Sequence, residues 1–120
     1  MMNFQAHESS WIGKSDMHTQ LRKGVLEMCI LHQLQSTEAY GYEIMKVIKE
    51  VLPDVYDGSI YAVLRRLNAD EKTSVVMKQS PNGPPRKYYR ITTKGRLHLD
   101  EITREWARLV AGVKRLGVVH

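Results

Sequence analysis

From Lys72 to Leu99 the chain bears seven basic side chains (Lys72, Lys78, Arg86, Lys87, Arg90, Lys94 and Arg96) and no acidic one. The whole chain carries +5, so the remainder sums to −2 and the positive charge is local. Charge gathered in this way makes a surface field that attracts a polyanion. Within the same stretch, VVMKQSPNGPPRKYYRIT reads as two short strands, Ser74 to Lys78 and Lys87 to Ile91, around a Ser80 to Pro85 turn. Asn82-Gly83 would make the turn, and Pro81, Pro84 and Pro85 would stiffen it and keep its edge from pairing with another chain. A basic hairpin of this kind needs a helical body to carry it.

That body is legible on both sides. A first helix is expected from Asp16 or Thr19 to Gln35, with Asp16 as a candidate cap. Leu21, Val25, Met28, Cys29, Leu31, His32 and Leu34 leave it little polar surface, so it should be the central helix. Ser36 to Tyr40 reads as loop. A second helix runs from Gly41 to about Leu52, with Ile44, Val47, Ile48 and Val51 as its core stripe, and Pro53 stops it. Asp57 or Ser59 would cap a third helix, Ser59 to Asp70, after a bend at Gly58. Ile60, Leu64 and Leu67 form its narrow apolar stripe. Tyr61, Arg65, Asn68 and, more obliquely, Ser59 lie opposite.

Thr92 or Thr93 would cap a long last helix. In it Leu99, Ile102, Trp106, Leu109, Val113 and Leu116 are spaced 3, 4, 3, 4, 3, the rhythm of helix-to-helix packing. Such a face is expected to pair with a second copy of the chain; the alternative is that it folds back on its own domain. The fold class expected is therefore mainly α with a small β-hairpin: a winged helix-turn-helix over residues 16–92, a dimerisation helix over 93–117, and a flexible arm over 1–15. In that arm, Phe4 and Trp11 could dock on a partner subunit.

The function classes narrow accordingly. Cys29 stands alone, so no disulfide can form within the chain, and its apolar surroundings suit a buried, reduced thiol. The N-terminus shows no basic-then-apolar leader, and the densest apolar run, Val25 to Leu31, is broken by Glu27. A cytoplasmic protein without a membrane partner is expected. The five histidines are scattered without metal-ligand spacing, and His32 reads as a core residue. With neither a glycine-rich phosphate loop nor a nucleophile elbow, no catalytic residue, metal or cofactor is expected.

Double-stranded DNA is the expected partner. The third helix would read it through Ser59, Tyr61 and Arg65, because an arginine there can span a guanine or clamp a phosphate. Lys78, Arg86 and Lys87 of the hairpin would lie along the phosphates. Tyr88 and Tyr89 point to opposite faces of their strand; Tyr88 is expected outward, with its hydroxyl free for a phosphate, and Tyr89 in the core. The N-terminus of the second helix offers free backbone N–H groups to one phosphate, and Tyr42 a hydroxyl.

The strings GVLEMCILHQL, YGYEI, GSIYAVLRRL and PPRKYYRITTKG resemble those of the PadR family of regulators, a resemblance that covers about Gln20 to Leu116. The spacing Ile60-Tyr61-x-x-Leu64-x-x-Leu67 and the string Arg86-Lys87-Tyr88-Tyr89-x-x-Thr92 carry most of that resemblance. It implies a homodimeric winged-helix repressor of a pseudo-palindromic operator, in the short-tailed branch with a single terminal helix. In relatives that take flat aromatic ligands a tryptophan at the Trp106 position faces its symmetry mate. The resemblance thus implies a small aromatic effector held near Trp106 and Ile102. Two rival readings remain: a sensor of aromatic ligands with weak DNA binding, and a winged helix that binds protein or RNA. The chain departs from the family at Asp70-Glu71-Lys72, where relatives have an acidic-Gly-apolar triplet. Glycine takes the left-handed residue after a helix without penalty, so the third helix must either hold Glu71 at a cost of about 1 kcal/mol or end differently.

Overall fold

In the computed structural model, which describes residues 22–119, the apolar first helix supplies the middle of the core. This helix, α1, is described over residues 22–34. Its Leu26, Ile30, Leu31 and Leu34 are all buried, whereas Val25, Met28 and Cys29 are half-buried. His32 is exposed, a correction to its expected place in the core: it lies one position, about 100°, round the helix from Leu31. The 1–15 arm, its Phe4 and Trp11, the Asp16 or Thr19 cap and Leu21 fall outside the described residues.

After a short turn comes β1, Ala39–Tyr40, then α2, Gly41–Val51. The backbone N–H of Tyr40 donates to the Glu43 carboxylate at 3.0 Å, which ties down the start of α2. Ile44 and Ile48 are buried, but Val47 and Val51 are exposed on α2; Met45 and Leu52 pack against the core in their place. The helix α3, Asp57–Ala69, begins two residues before the expected start. Tyr56 is its N-cap and makes no side-chain cap bond, so neither Asp57 nor Ser59 acts as one; Asp57 instead places a negative charge in the first turn. Gly58 is an ordinary helical residue. Val63 joins Ile60, Leu64 and Leu67 in a stripe wider than the sequence suggests.

The end of α3 settles the departure at Asp70-Glu71-Lys72. Glu71 takes the left-handed conformation with φ 63°. Its N–H reaches the Asn68 carbonyl at 3.0 Å, and the Lys72 N–H reaches that of Leu67 at 2.9 Å. This is a Schellman closure with glutamate where glycine would be unstrained.

The chain then enters β2, Thr73–Ser80, turns through Pro81 and Asn82, and returns as β3, Gly83–Ile91. Both strands are longer than expected, so Pro84 and Pro85 lie within β3. Lys78 pairs with Arg86 and Ser80 with Gly83, so the single Gln79 faces Pro84-Pro85. The two prolines sit in this bulge, where their missing N–H groups break no ladder bond. Neither Asn82 nor Gly83 takes a positive φ, so the turn does not use the dipeptide in its usual hairpin form. β1 adds to the other side of β3 and completes a three-stranded antiparallel sheet in the order β1-β3-β2. Tyr89 is buried, whereas Met77 is 58% exposed because the hairpin outruns the core.

The last helix, α4, spans Thr93–Arg115, and Thr92 caps it by accepting the Gly95 N–H at 3.0 Å. Thr92 also donates its hydroxyl to the Glu71 carbonyl (2.7 Å) and its N–H to the Lys72 carbonyl (3.1 Å). A Cβ on Gly95 would stand 2.0 Å from the Lys72 oxygen, so only glycine lets α4 seat against this corner. Leu99 is buried in the chain's own core and Ile102 packs against it beside Gly24. That corrects the expectation that all six seam residues face a partner. Beyond them α4 leaves the body, and Trp106, Leu109 and Leu116 are 45%, 54% and 82% exposed.

Candidate nucleic-acid interface

The sequence places α3 beside the return strand of the hairpin, and their outer surfaces meet the start of α2 in an open cleft of about 400 Å³. Tyr42, Tyr61, Arg65, Arg86 and Lys87, five of the eight residues expected on DNA, line this cleft together. Tyr61 and Arg65 are there because they are four residues apart on α3, Tyr61 half-buried at the edge of its buried stripe and Arg65 turned out from it. Gly41 allows the close fit. A Cβ at that position would lie 2.9 Å from the Tyr61 ring, so the first turn of α2, with its N–H groups free of helix partners, is brought against the outer face of α3. Tyr89 forms the floor. Burial pushes its phenol up from the ordinary tyrosine range, Tyr61 adds to this, and the nearby Arg65 charge partly offsets it.

The other three are elsewhere. Ser59 is exposed at the N-terminal end of α3 but does not line the cleft. Lys78 and Tyr88 lie on the outer face of the sheet, away from the helices, because strand residues alternate and Tyr88 neighbours the buried Tyr89. On that outer face Tyr88 packs on Tyr40, with centroids 5.5 Å apart. Arg86 lies 4.5 Å over the Tyr40 ring, which holds its guanidinium at the rim of the cleft. Lys87 is exposed and has no ion pair among the described residues.

Two acidic residues missed by the sequence reading shape the charge. Glu38, in the turn before β1, binds Arg90 at 2.7 Å and also binds Lys78. The stretch that is free of acid along the chain is therefore not free of it in space. Glu27 on α1 binds Arg66 of α3 and, at 2.9 Å, His98 of α4. Burial pushes the Glu27 carboxyl up, but the hydrogen bonds and charges of His98 and Arg66 more than offset it, and it lies below its ordinary value. Arg66 is thus a structural residue, whereas its neighbour Arg65 points into the cleft. No local spacing signals either link, since the partners are 39 to 71 residues apart. Burial raises the Cys29 thiol above its usual value, which suits an unreactive packing residue.

The second expected site is less assembled. Ile102 lines an open depression on α4 together with Leu97, His98, Glu105 and Arg108. Trp106, one turn on from Ile102, is not among its walls and exposes nearly half of its surface. Among the described residues no helix is long and apolar enough to cross a membrane.

Comparison with known proteins follows the same lines. The family described as "Transcriptional regulator PadR-like family" matches residues 30–101. The chain is 39% identical to a PadR-like transcriptional regulator from Bacillus cereus strain ATCC 14579, whose crystal structure superposes with a TM-score of 0.71 over 84% of this chain and 99% of that one. A PadR family transcriptional regulator from Eggerthella lenta DSM 2243 is 30% identical and matches over 100% of both chains with a TM-score of 0.73. An "Uncharacterized protein X" of Lysinibacillus sphaericus is 33% identical over 90 residues, 72% of this chain and 83% of that protein.

Proposed function

The chain belongs to the PadR-like family of transcriptional regulators, DNA-binding proteins rather than enzymes, and from that premise we propose that it is a cytoplasmic, homodimeric, ligand-responsive repressor of a pseudo-palindromic operator. The observation that carries the reading is the cleft in which Tyr61 and Arg65 of α3 stand beside Arg86 and Lys87 of the wing and Tyr42 of α2. In it one helix offers groups that can reach base edges while its surroundings offer cations and N–H groups to phosphates. In the proposed complex α3 enters a major groove, with Ser59, Tyr61 and Arg65 toward the bases, and Lys87 and Arg86 follow the backbone. Residues up to 92 form the DNA-binding unit and residues 93–117 the pairing helix. Two-fold pairing through Trp106, Leu109, Val113 and Leu116 sets the half-sites about one helical turn apart. The exposed Trp106 supports an aromatic effector held between the paired helices.

Fluorescence anisotropy on the DNA upstream of this protein's own gene tests the reading, with a scrambled duplex alongside at ~150 mM salt. Preference for the natural duplex of ~10³-fold or more is expected. Arg65→Ala should cost about 1–3 kcal/mol and relax specificity at one base pair, whereas Lys87→Ala should weaken all duplexes alike and shallow the salt slope by about one. If both variants lower affinity without regard to sequence, α3 is not the reader. For the effector, coupling is reciprocal, so equal ligand affinity with and without operator would rule out the ligand-responsive part.

A further inference from the structure

Glu38 lies where a carboxylate is least expected, among the cations of the wing. It sits in the turn just before β1, whose Ala39 and Tyr40 pair with Tyr89 and Tyr88 of β3, and the Nε of Arg90 donates to it at 2.7 Å. Lys78 comes from the far strand, β2. Its amine lies 5.1 Å over the Tyr88 ring and reaches the other Glu38 oxygen. Lys78 is therefore drawn back across the sheet, away from the hairpin tip. Two of the four basic side chains of the hairpin strands are engaged by this one acid, and both keep about half of their side chains in solvent. A carboxylate and a phosphate diester present the same chemistry to an ammonium or guanidinium: anionic oxygens that accept charged N–H bonds.

We propose that Glu38 is an intramolecular competitor of the DNA phosphates, which holds Lys78 and Arg90 off the duplex backbone and so limits sequence-independent binding. The proposal rests on the reading that the wing lies along DNA. Sequence preference belongs to α3, so Glu38 lowers affinity for every duplex by the same factor. Its effect on a regulator is to weaken retention at non-target DNA, where backbone charge supplies essentially all of the binding.

The experiment compares the full chain with its Glu38→Gln variant on natural and scrambled duplexes between ~50 and ~200 mM salt. Glu38→Gln should bind both duplexes more tightly by a common factor. Two released cations should steepen the salt slope by up to about 1.8, so the gain at the lower salt should exceed that at the higher by about 12-fold. Lys78→Gln and Arg90→Gln, which keep the acid, should leave the wild-type slope unchanged, and each should remove about half of the extra slope when added to Glu38→Gln. A Glu38→Gln protein that binds no better than wild type, or a wild-type slope that falls with Lys78→Gln, overturns the proposal, because the cations would then already lie on phosphates. If the wild-type chain binds neither duplex even at ~50 mM salt, the reading of the wing fails first and this proposal with it. Specific binding that is indifferent to Glu38 overturns this proposal alone.

Discussion

Glu71 and Gly95 show how two residues set the geometry of one corner. Glu71 holds φ 63°, where a side chain crowds its own backbone, at a cost of about 1 kcal/mol or more. Glu71→Gly should raise stability by about 1 kcal/mol, seen as a higher urea midpoint at unchanged slope; no gain would mean that the Schellman closure is not strained. Gly95→Ala should do the reverse. Its methyl would have to displace the Lys72 carbonyl, and backbone displacement of this kind should lower stability by about 3 kcal/mol, toward the upper end of overpacking effects, in the same urea measurement. Glu71 is visible in the sequence as a break in the expected pattern, and the structure shows it held in the left-handed conformation of a Schellman closure. The demand on Gly95 is not visible, because it comes from a carbonyl more than twenty positions earlier in the chain.

At the scale of elements, the three helices α1, α3 and α4 are joined by Glu27, which meets Arg66 and His98. The Glu27 carboxyl is held below its ordinary value in the folded chain. Its contribution to stability is therefore complete above the unfolded-state pKa and is lost as the pH falls through the lowered folded-state value. Glu27→Gln should cost about 1–2 kcal/mol at neutral pH, and its stability should converge on that of wild type as the pH is taken below 4. Stability curves that stay parallel into acid would show that the charge on Glu27 is immaterial. The helices themselves were legible in the sequence: apolar stripes, Pro53 and Thr92 mark them clearly. β1 was not, because two residues carry no period and it exists only by pairing with Tyr88 and Tyr89. The hairpin was found but cut short, since its prolines read as loop until the bulge opposite Gln79 accommodates them. Most of the cleft was legible, because helical spacing alone puts Tyr61 and Arg65 on one face. The acids that bind the cations were not, because no local pattern links Glu38 to Arg90 across 52 positions.

At the scale of the whole molecule, α4 divides into two parts. Leu99 and Ile102 close the chain's own core, and the outer half carries Trp106, Leu109 and Leu116 into solvent. The seam expected to serve a partner throughout is left open to one only from Trp106 onward. Leu109→Glu puts a charge in the middle of that outer face, and the proposed pairing predicts a fall in sedimentation mass from two chains to one. Operator affinity should be lost and weak binding to any duplex kept; an unchanged mass would place the pairing surface elsewhere. The corner described above governs how such a pair could move. Thr92 is bonded to both Glu71 and Lys72, and Gly95 leaves no gap above them, so the start of α4 is tied to the end of α3 and the entry of the wing. In the proposed dimer a shift at the far end of α4 would be carried to both through this corner. The two DNA-binding ends of that proposed dimer would resemble the jaws of a pair of calipers fixed to their legs: a ligand between the legs would alter the gap they span and leave the shape of each jaw unchanged.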